Sequence, residues 1–339
     1  MVMVGGLDLH RKQITFDVLD TETGQVWRGR ICPADRELFR GWLAGFAGQQ
    51  VELAVEGCTG WRFVIEECQA AGVVAHLADP AEVAGLRGRR RHAKTDRIDA
   101  RQLRDLLLEG RLPECWIPPQ LVLEIRAKVR LYKDLIDQRT GWQQRIHATL
   151  YHLGAPAQRD LLAADRDRLA RIAGLSPAAR QAITVALAMI EALDAQIAPL
   201  RAELTGFARR QPGCQAVQAE YGIGALTAVA IWSELGDARR FAHSRDAVRH
   251  AGLDITVYSS DTKRSPGRLS RQGSPLLRWA LYEAAVYAGR PSSPDHAYFQ
   301  QVKARLGGQL ALLSMARKLA RRCHHTLRNL DDQVLAPAA

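Results

Sequence analysis

The first eighty residues change their hydrophobic period in a fixed order, and that order leaves few folds open. Residues 3–9 read as a strand, and 13–20 set Ile14, Phe16 and Val18 against polar neighbours. A third strand, 25–31, follows a Thr23-Gly24 turn. The pattern then alternates: a helix over 34–46, a short apolar strand over 51–55, a helix over 61–71, a strand over 73–77 and a helix opening near Pro80. Three strands joined by short turns, followed by helix–strand alternation, specify a mixed sheet covered by helices, an α/β domain.

Four carboxylates stand at telling places on this pattern. Asp8 closes the first strand and Glu56 the fourth, while Asp96 and Asp99 lie in Lys94-Thr95-Asp96-Arg97-Ile98-Asp99-Ala100-Arg101. Aspartates at i and i+3 share one helix face. Strand-end acids meeting such a pair make an all-oxygen nest suited to Mg²⁺ or Mn²⁺, the metals of phosphoryl transfer. Blander roles exist: Asp96 can cap a helix after Thr95, and Asp99 can pair with a nearby arginine. Glu56 resists that reading, because it ends an apolar strand where an unpaired charge is costly.

The charge balance points to the substrate class. Lys and Arg number 47 against 36 acids in 339 residues, a net +11 that favours DNA or RNA over a neutral metabolite. Five cations crowd into Arg87-Gly88-Arg89-Arg90-Arg91-His92-Ala93-Lys94, immediately before the Asp96 and Asp99 pair. Such a run suits a loop holding a phosphate backbone beside the metals. Six scattered cysteines, with no C-x-x-C spacing, fit reduced thiols rather than zinc or a disulfide framework. No cleavable leader and no membrane-length apolar run stand out, so a cytoplasmic protein without a membrane partner is expected. The absence of a G-x-x-x-x-G-K-[ST] pattern agrees with chemistry independent of ATP.

This length exceeds the usual single domain, and the character changes after Trp116-Ile117-Pro118-Pro119. Val122, Ile125, Val129, Tyr132, Ile136, Ile146, Leu150 and Leu153 form one helical stripe; Ile183, Ala186, Ile190, Leu193, Ile197, Leu200, Leu204 and Phe207 form another. Two long amphipathic helices suggest a hairpin or coiled coil, paired either within the chain or between copies. A helical domain follows, opening at Gly222-Ile223-Gly224, whose amides could meet a phosphate or whose glycines could allow close packing. A polar loop over 258–268 leads to Leu269-Ser270-Arg271-Gln272-Gly273-Ser274, then a helix with Arg278 and a final basic helix. The expected division is 1–115, 116–213 and 214–330.

Taken in order, these pieces resemble the insertion-sequence transposases of family 110, the DEDD transposases. The matching acids lie in Gly-Leu-Asp8, Val-Glu56-Gly-Cys-Thr-Gly and Lys-Thr-Asp96-Arg-Ile-Asp99-Ala-Arg. The matching C-terminal elements are Gly222-Ile-Gly224, Arg240-Phe241, Ala251-Gly252-Leu253 and Ser270-Arg271-Gln272-Gly273 followed by Leu277-Arg278. The resemblance implies an RNase H-like (RuvC-like) N-terminal domain, a coiled-coil segment and a mainly α C-terminal transposase domain with a catalytic serine. It makes Asp8, Glu56, Asp96 and Asp99 the ligands of Mg²⁺ (or Mn²⁺) and Ser260 the nucleophile, with Ser259 beside it as the alternative. It further implies a site-specific DNA recombinase working as a dimer or tetramer on donor and target DNA, guided by a bridge RNA. Nucleic-acid contacts are expected from Arg87, Arg89, Arg90, Arg91, Lys94, Gly222, Gly224, Lys263, Arg264, Arg268, Arg271 and Arg278. Two positions depart from the family pattern: Ile255, where proline is common, and Asp261, where glycine is common. A RuvC-like structure-selective nuclease using the acids without the serine, or a degenerate nucleic-acid-binding protein, are the competing readings.

Overall fold

The computed structural model describes residues 2–86, 95–155, 169, 172, 174–256, 259–260, 263–264 and 267–336, with only the backbone at 259–260 and 263–264. Two compact units result, Met1–Ile117 and Pro118–Ala339.

In the first unit, β1 (Val2–Leu9), β2 (Ile14–Asp20), β3 (Val26–Ile31), β4 (Gln50–Glu56) and β5 (Val74–Ala78) form one sheet in the order β3-β2-β1-β4-β5. β1 pairs antiparallel with β2 and parallel with β4, as the change from hairpin turns to helical crossovers requires. The strand expectations hold to within a residue or two. Period two sorts the central strands cleanly. Leu7, Leu9, Leu53 and Val55 point to one face, where Phe39 and Leu43 of α1 (Arg36–Ala44) and Val64, Ile65 and Cys68 of α2 (Trp61–Ala70) complete a core. Ala54 points to the other face, against Val83 of α3 (Pro80–Leu86) and Leu103 and Leu106 of α4 (Asp96–Leu108).

The approach of α4 to β1 is set by Gly6. A Cβ there would lie 2.0 Å from the Ala100 carbonyl oxygen and 2.6 Å from the Arg104 nitrogen, so only glycine lets the helix settle this close. One turn along α4, the buried Arg104 is ion-paired with buried Asp17 on β2, which also accepts from Arg28 Nε at 2.7 Å.

In the second unit, α5 (Gln120–His152) and α6 (Pro177–Arg210) form an antiparallel hairpin. Its direction follows from its ion pairs, Lys128 with Glu203 and Arg139 with Asp194. The two apolar stripes face each other: Ile146 and Leu150 pack with Ile183, Ala186 and Ile190. By length and composition α6 would also span a membrane, contrary to the expectation that no run is long enough; its stripe is instead used against α5. After α7 (Pro212–Gln218), α8 (Ala225–Leu235) runs through the unit's centre, with every residue from Ala228 to Leu235 buried. Its buried Glu234 pairs with Arg126 and Arg130 of α5, each at 3.3 Å, tying the hairpin to this helix. All six cysteines are free thiols.

Candidate active site

The acids meet at the C-terminal end of β1. Alternation puts Asp8 on the same face as Gly6, the face α4 covers, and the parallel register carries Glu56 just past the Leu7–Val55 pair on the neighbouring strand. α4 starts there because the Thr95 side chain accepts a hydrogen bond from the Ile98 N–H, so Asp96 opens the helix and Asp99 sits in its first turn. The cap is thus Thr95, and Asp96 is left for other work.

Asp8 and Asp99 are both buried. Burial pushes the Asp8 carboxyl up to about 6, His10 opposes the shift, and the negative charges of Asp99, Asp96 and Glu56 add to it. All four acids therefore share one electrostatic neighbourhood. Within ligand reach of one another stand Asp8, Asp96 and His10, whose donor atoms fall within 4.8 Å. His10 Nε2 lies 3.1 Å from Asp8 Oδ2 and 3.4 Å from Asp96 Oδ1, and Gln13 Nε2 donates to Asp96 Oδ2 at 3.0 Å. Thr15, directly across the ladder from Asp8, has a buried hydroxyl with no hydrogen-bond partner among the described residues.

These groups fit a divalent cation. Several carboxylates converging with an imidazole repel one another unless a positive charge joins them, and oxygen-rich sets with one nitrogen suit Mg²⁺ and especially Mn²⁺. The orphan Thr15 hydroxyl marks the same spot as one lacking a polar partner. His10 and Gln13 escaped the sequence reading, although His10 stands two residues beyond Asp8, where strand alternation returns a side chain to the same face.

Ser260 belongs to the second unit. After α9 (Ser244–His250), β6 (Ile255–Thr256) pairs with β9 (Arg268–Leu269), and farther out β7 (Ser259–Ser260) pairs with β8 (Lys263–Arg264), setting Ser260 opposite Lys263. The side chains of Ser260, Ser259, Lys263 and Arg264 lie outside the described residues, as do Asp261 and the basic run Arg87, Arg89, Arg90, Arg91 and Lys94. The base of the hairpin is a clamp made by two motifs that are far apart in sequence. Arg271 N–H donates to the Gly252 carbonyl, Ser270 N–H to Asp254, and Ser274 N–H to His250. Gly252 has a φ of 64°, and a Cβ there would strike the Arg278 guanidinium at 2.5 Å. Arg278, in α10 (Pro275–Val286), donates to the Ala251 carbonyl at 3.0 Å, so this expected nucleic-acid contact also braces the clamp. Arg268 and Arg271 remain exposed. Gly222 packs tightly, since a Cβ on it would sit 2.5 Å from the Ala284 carbonyl; Gly224, which opens α8, has open space instead.

The mixed sheet, helical layers and strand-end acids define a DEDD-type domain of RNase H-like fold followed by a mostly helical unit. The IS110-type DEDD transposase model matches residues 5–154, and the model of the IS116/IS110/IS902 transposases matches residues 214–300. The chain belongs to this IS110 family. Among its relatives, a putative transposase, y4rJ, of Sinorhizobium fredii is 31% identical over 240 residues, covering 64% of this chain and 60% of the relative. The transposase for insertion sequence element IS1111A of Coxiella burnetii is 23% identical over 237 residues, 69% of this chain and 64% of the relative. A probable family 20 transposase of Pseudomonas aeruginosa is 24% identical over 290 residues, 83% and 82% of the two chains. The chain thus spans less than two thirds of the length of the first two.

Proposed function

We propose that the chain is an insertion-sequence transposase, a DNA recombinase that breaks and rejoins strands with divalent cations held by Asp8, Glu56, Asp96 and Asp99. The observation that carries the reading is Asp8: a buried carboxyl, pressed by three further acids, beside an orphan hydroxyl. Bound there, Mg²⁺ or Mn²⁺ would stabilise the charge that develops on phosphate oxygens during displacement. The chain's own groups prepare for this. Thr95 and Gly6 fix where α4 begins and how near it lies, His10 bridges Asp8 and Asp96, and Gln13 holds the second Asp96 oxygen.

Ser260 is the proposed nucleophile, supported by its register after Ala251-Gly252-Leu253 and its backbone pairing opposite Lys263. Its Oγ would form a bond to phosphorus as the bond to the 3′ oxygen breaks. The serine proton leaves, and the departing oxygen takes one up. A 3′-OH from the exchanged strand then reverses the step, restoring the serine without ATP. The further parts of the reading are a bridge RNA as guide, assembly of two or four copies in which one acid domain serves another's serine, the α5–α6 hairpin as a coiled-coil arm, and a cytoplasmic setting.

The test is strand exchange in cells carrying the element on a plasmid, read by sequencing of junctions. Ser260→Ala and Asp8→Asn are each expected to abolish new junctions. Exchange that survives Ser260→Ala but not Asp8→Asn would replace this reading with a serine-independent nuclease. Guide dependence is checked separately: RNA of one defined length should co-purify, and its digestion should remove sequence-specific exchange.

A further inference from the structure

Round the end of β1 from the acid cluster, on the sheet face that Leu9 shares with α2, lies a hollow of about 610 Å³ that the chemistry above does not use. Leu9 and Ile14 give it an apolar floor, the Phe63 ring and the His10 imidazole line it, and Arg11 supplies its charge. Among the described residues no carboxylate lines it, in contrast to the neighbouring acid cluster. The N-terminus of α2 borders it through Thr59 and Gly60, and no side chain among the described residues caps that helix. His10 belongs to both features.

We propose that this hollow seats one unstacked nucleotide of a nucleic-acid strand whose adjoining phosphate lies at the acid cluster. The inference rests on reading the cluster as a phosphodiester site, and it adds where the flanking base goes. The size falls within the range of about 300–1,000 Å³ over which proteins enclose small ligands. An aromatic ring and aliphatic floor accept the face of a base without regard to sequence, while Arg11 and the uncapped helix end favour the phosphate. A neutral apolar ligand has no use for that charge. A cation is met by the wrong sign. Because His10 is shared, a strand whose phosphate meets Asp8 and Asp96 has its next sugar and base at the mouth of the hollow.

Cys58 provides a reporter, since its half-buried thiol lines the hollow and donates toward the Leu9 carbonyl. The full-length protein is mixed with a fluorescein-labelled single-stranded DNA or RNA oligonucleotide in Ca²⁺. Binding is followed by anisotropy, and alkylation of Cys58 by mass spectrometry against Cys115, which lies outside the hollow. Shielding of Cys58 alone by bound DNA or RNA is the expected result, and the two arms tell which strand enters. Gly60→Leu fills the space, because a Cβ at Gly60 meets Phe63 and Leu9 at the ordinary contact distances of 3.7 and 3.8 Å. It should weaken oligonucleotide binding about tenfold, the scale of losing one base stack. Equal alkylation of Cys58 with and without bound oligonucleotide, or undiminished affinity of Gly60→Leu, overturns the proposal. A Mn²⁺ titration of wild type against Asp8→Asn reports separately on the cluster, so failure of the parent reading is distinguishable.

Discussion

Asp8 shows what a single residue is asked to do. A carboxyl raised from 3.8 to about 6 binds its proton more tightly in the folded chain than in the unfolded one. The metal-free protein therefore loses stability as pH rises through that window, and the loss is complete above it. Asp8→Asn removes the penalty. At pH 7.5 without metal its melting temperature should exceed that of wild type, and the rise that Mn²⁺ gives the wild type should vanish, both readable by scanning fluorimetry. A variant that melts lower and still gains from Mn²⁺ would place the cation elsewhere. His250 behaves in the opposite sense. Burial first, then the Arg240 charge, lower it to about 4 from 6.5. Its contribution is intact above 6.5 and is lost as pH falls toward 4, so His250→Phe should flatten the acid limb of a stability–pH curve. His10 would have been legible from Asp8-Leu9-His10 by alternation alone; Thr15 would not, because an orphan hydroxyl exists only once its neighbours are placed.

At the level of elements, α4 is the device that makes a site from separate acids. Its face was readable from the i, i+3 spacing of Asp96 and Asp99, and its start from Thr95. Its docking was not. That depends on Gly6 leaving room for the Ala100 carbonyl and on Arg104 finding Asp17, contacts between residues 94 and 87 positions apart. Gly6→Ala forces the helix outward and should cost about 2–3 kcal/mol, with weaker Mn²⁺ binding. Arg104→Met leaves Asp17 buried with Arg28 alone and should cost about 3 kcal/mol in urea denaturation. Should Arg104→Met melt like wild type, the pair does not hold the helix. The final basic helix, α11 (Gly308–Arg328), teaches the converse. Its cations stand out in sequence only as a basic run, whereas in the fold Lys318 and Arg322 are paired with buried Asp295, and Arg317 and Arg328 donate to the Leu253 and Phe241 carbonyls.

For the whole molecule, the first unit has its own cores, and the acid cluster lies wholly within it. Residues 1–117 made alone should fold cooperatively and bind Mn²⁺ with the affinity of the full chain, as calorimetry would show. Strand exchange should require the second unit, which carries Ser260. Period-two and period-3.6 patterning determined the succession of strands and helices, the mixed sheet it implies and the acids at the strand ends, because those are local properties of neighbouring side chains. The two apolar stripes likewise announced long helices, but whether they would meet each other or another copy was open until the hairpin brought Ile146 and Leu150 onto Ile183 and Ile190. Tertiary structure alone decided that Asp8 would be buried among like charges, that His10 would bridge it to Asp96, and that Gly252 and Arg271 would lock the serine hairpin. Those outcomes depend on distances between segments scores of residues apart, and no local periodicity carries such distances.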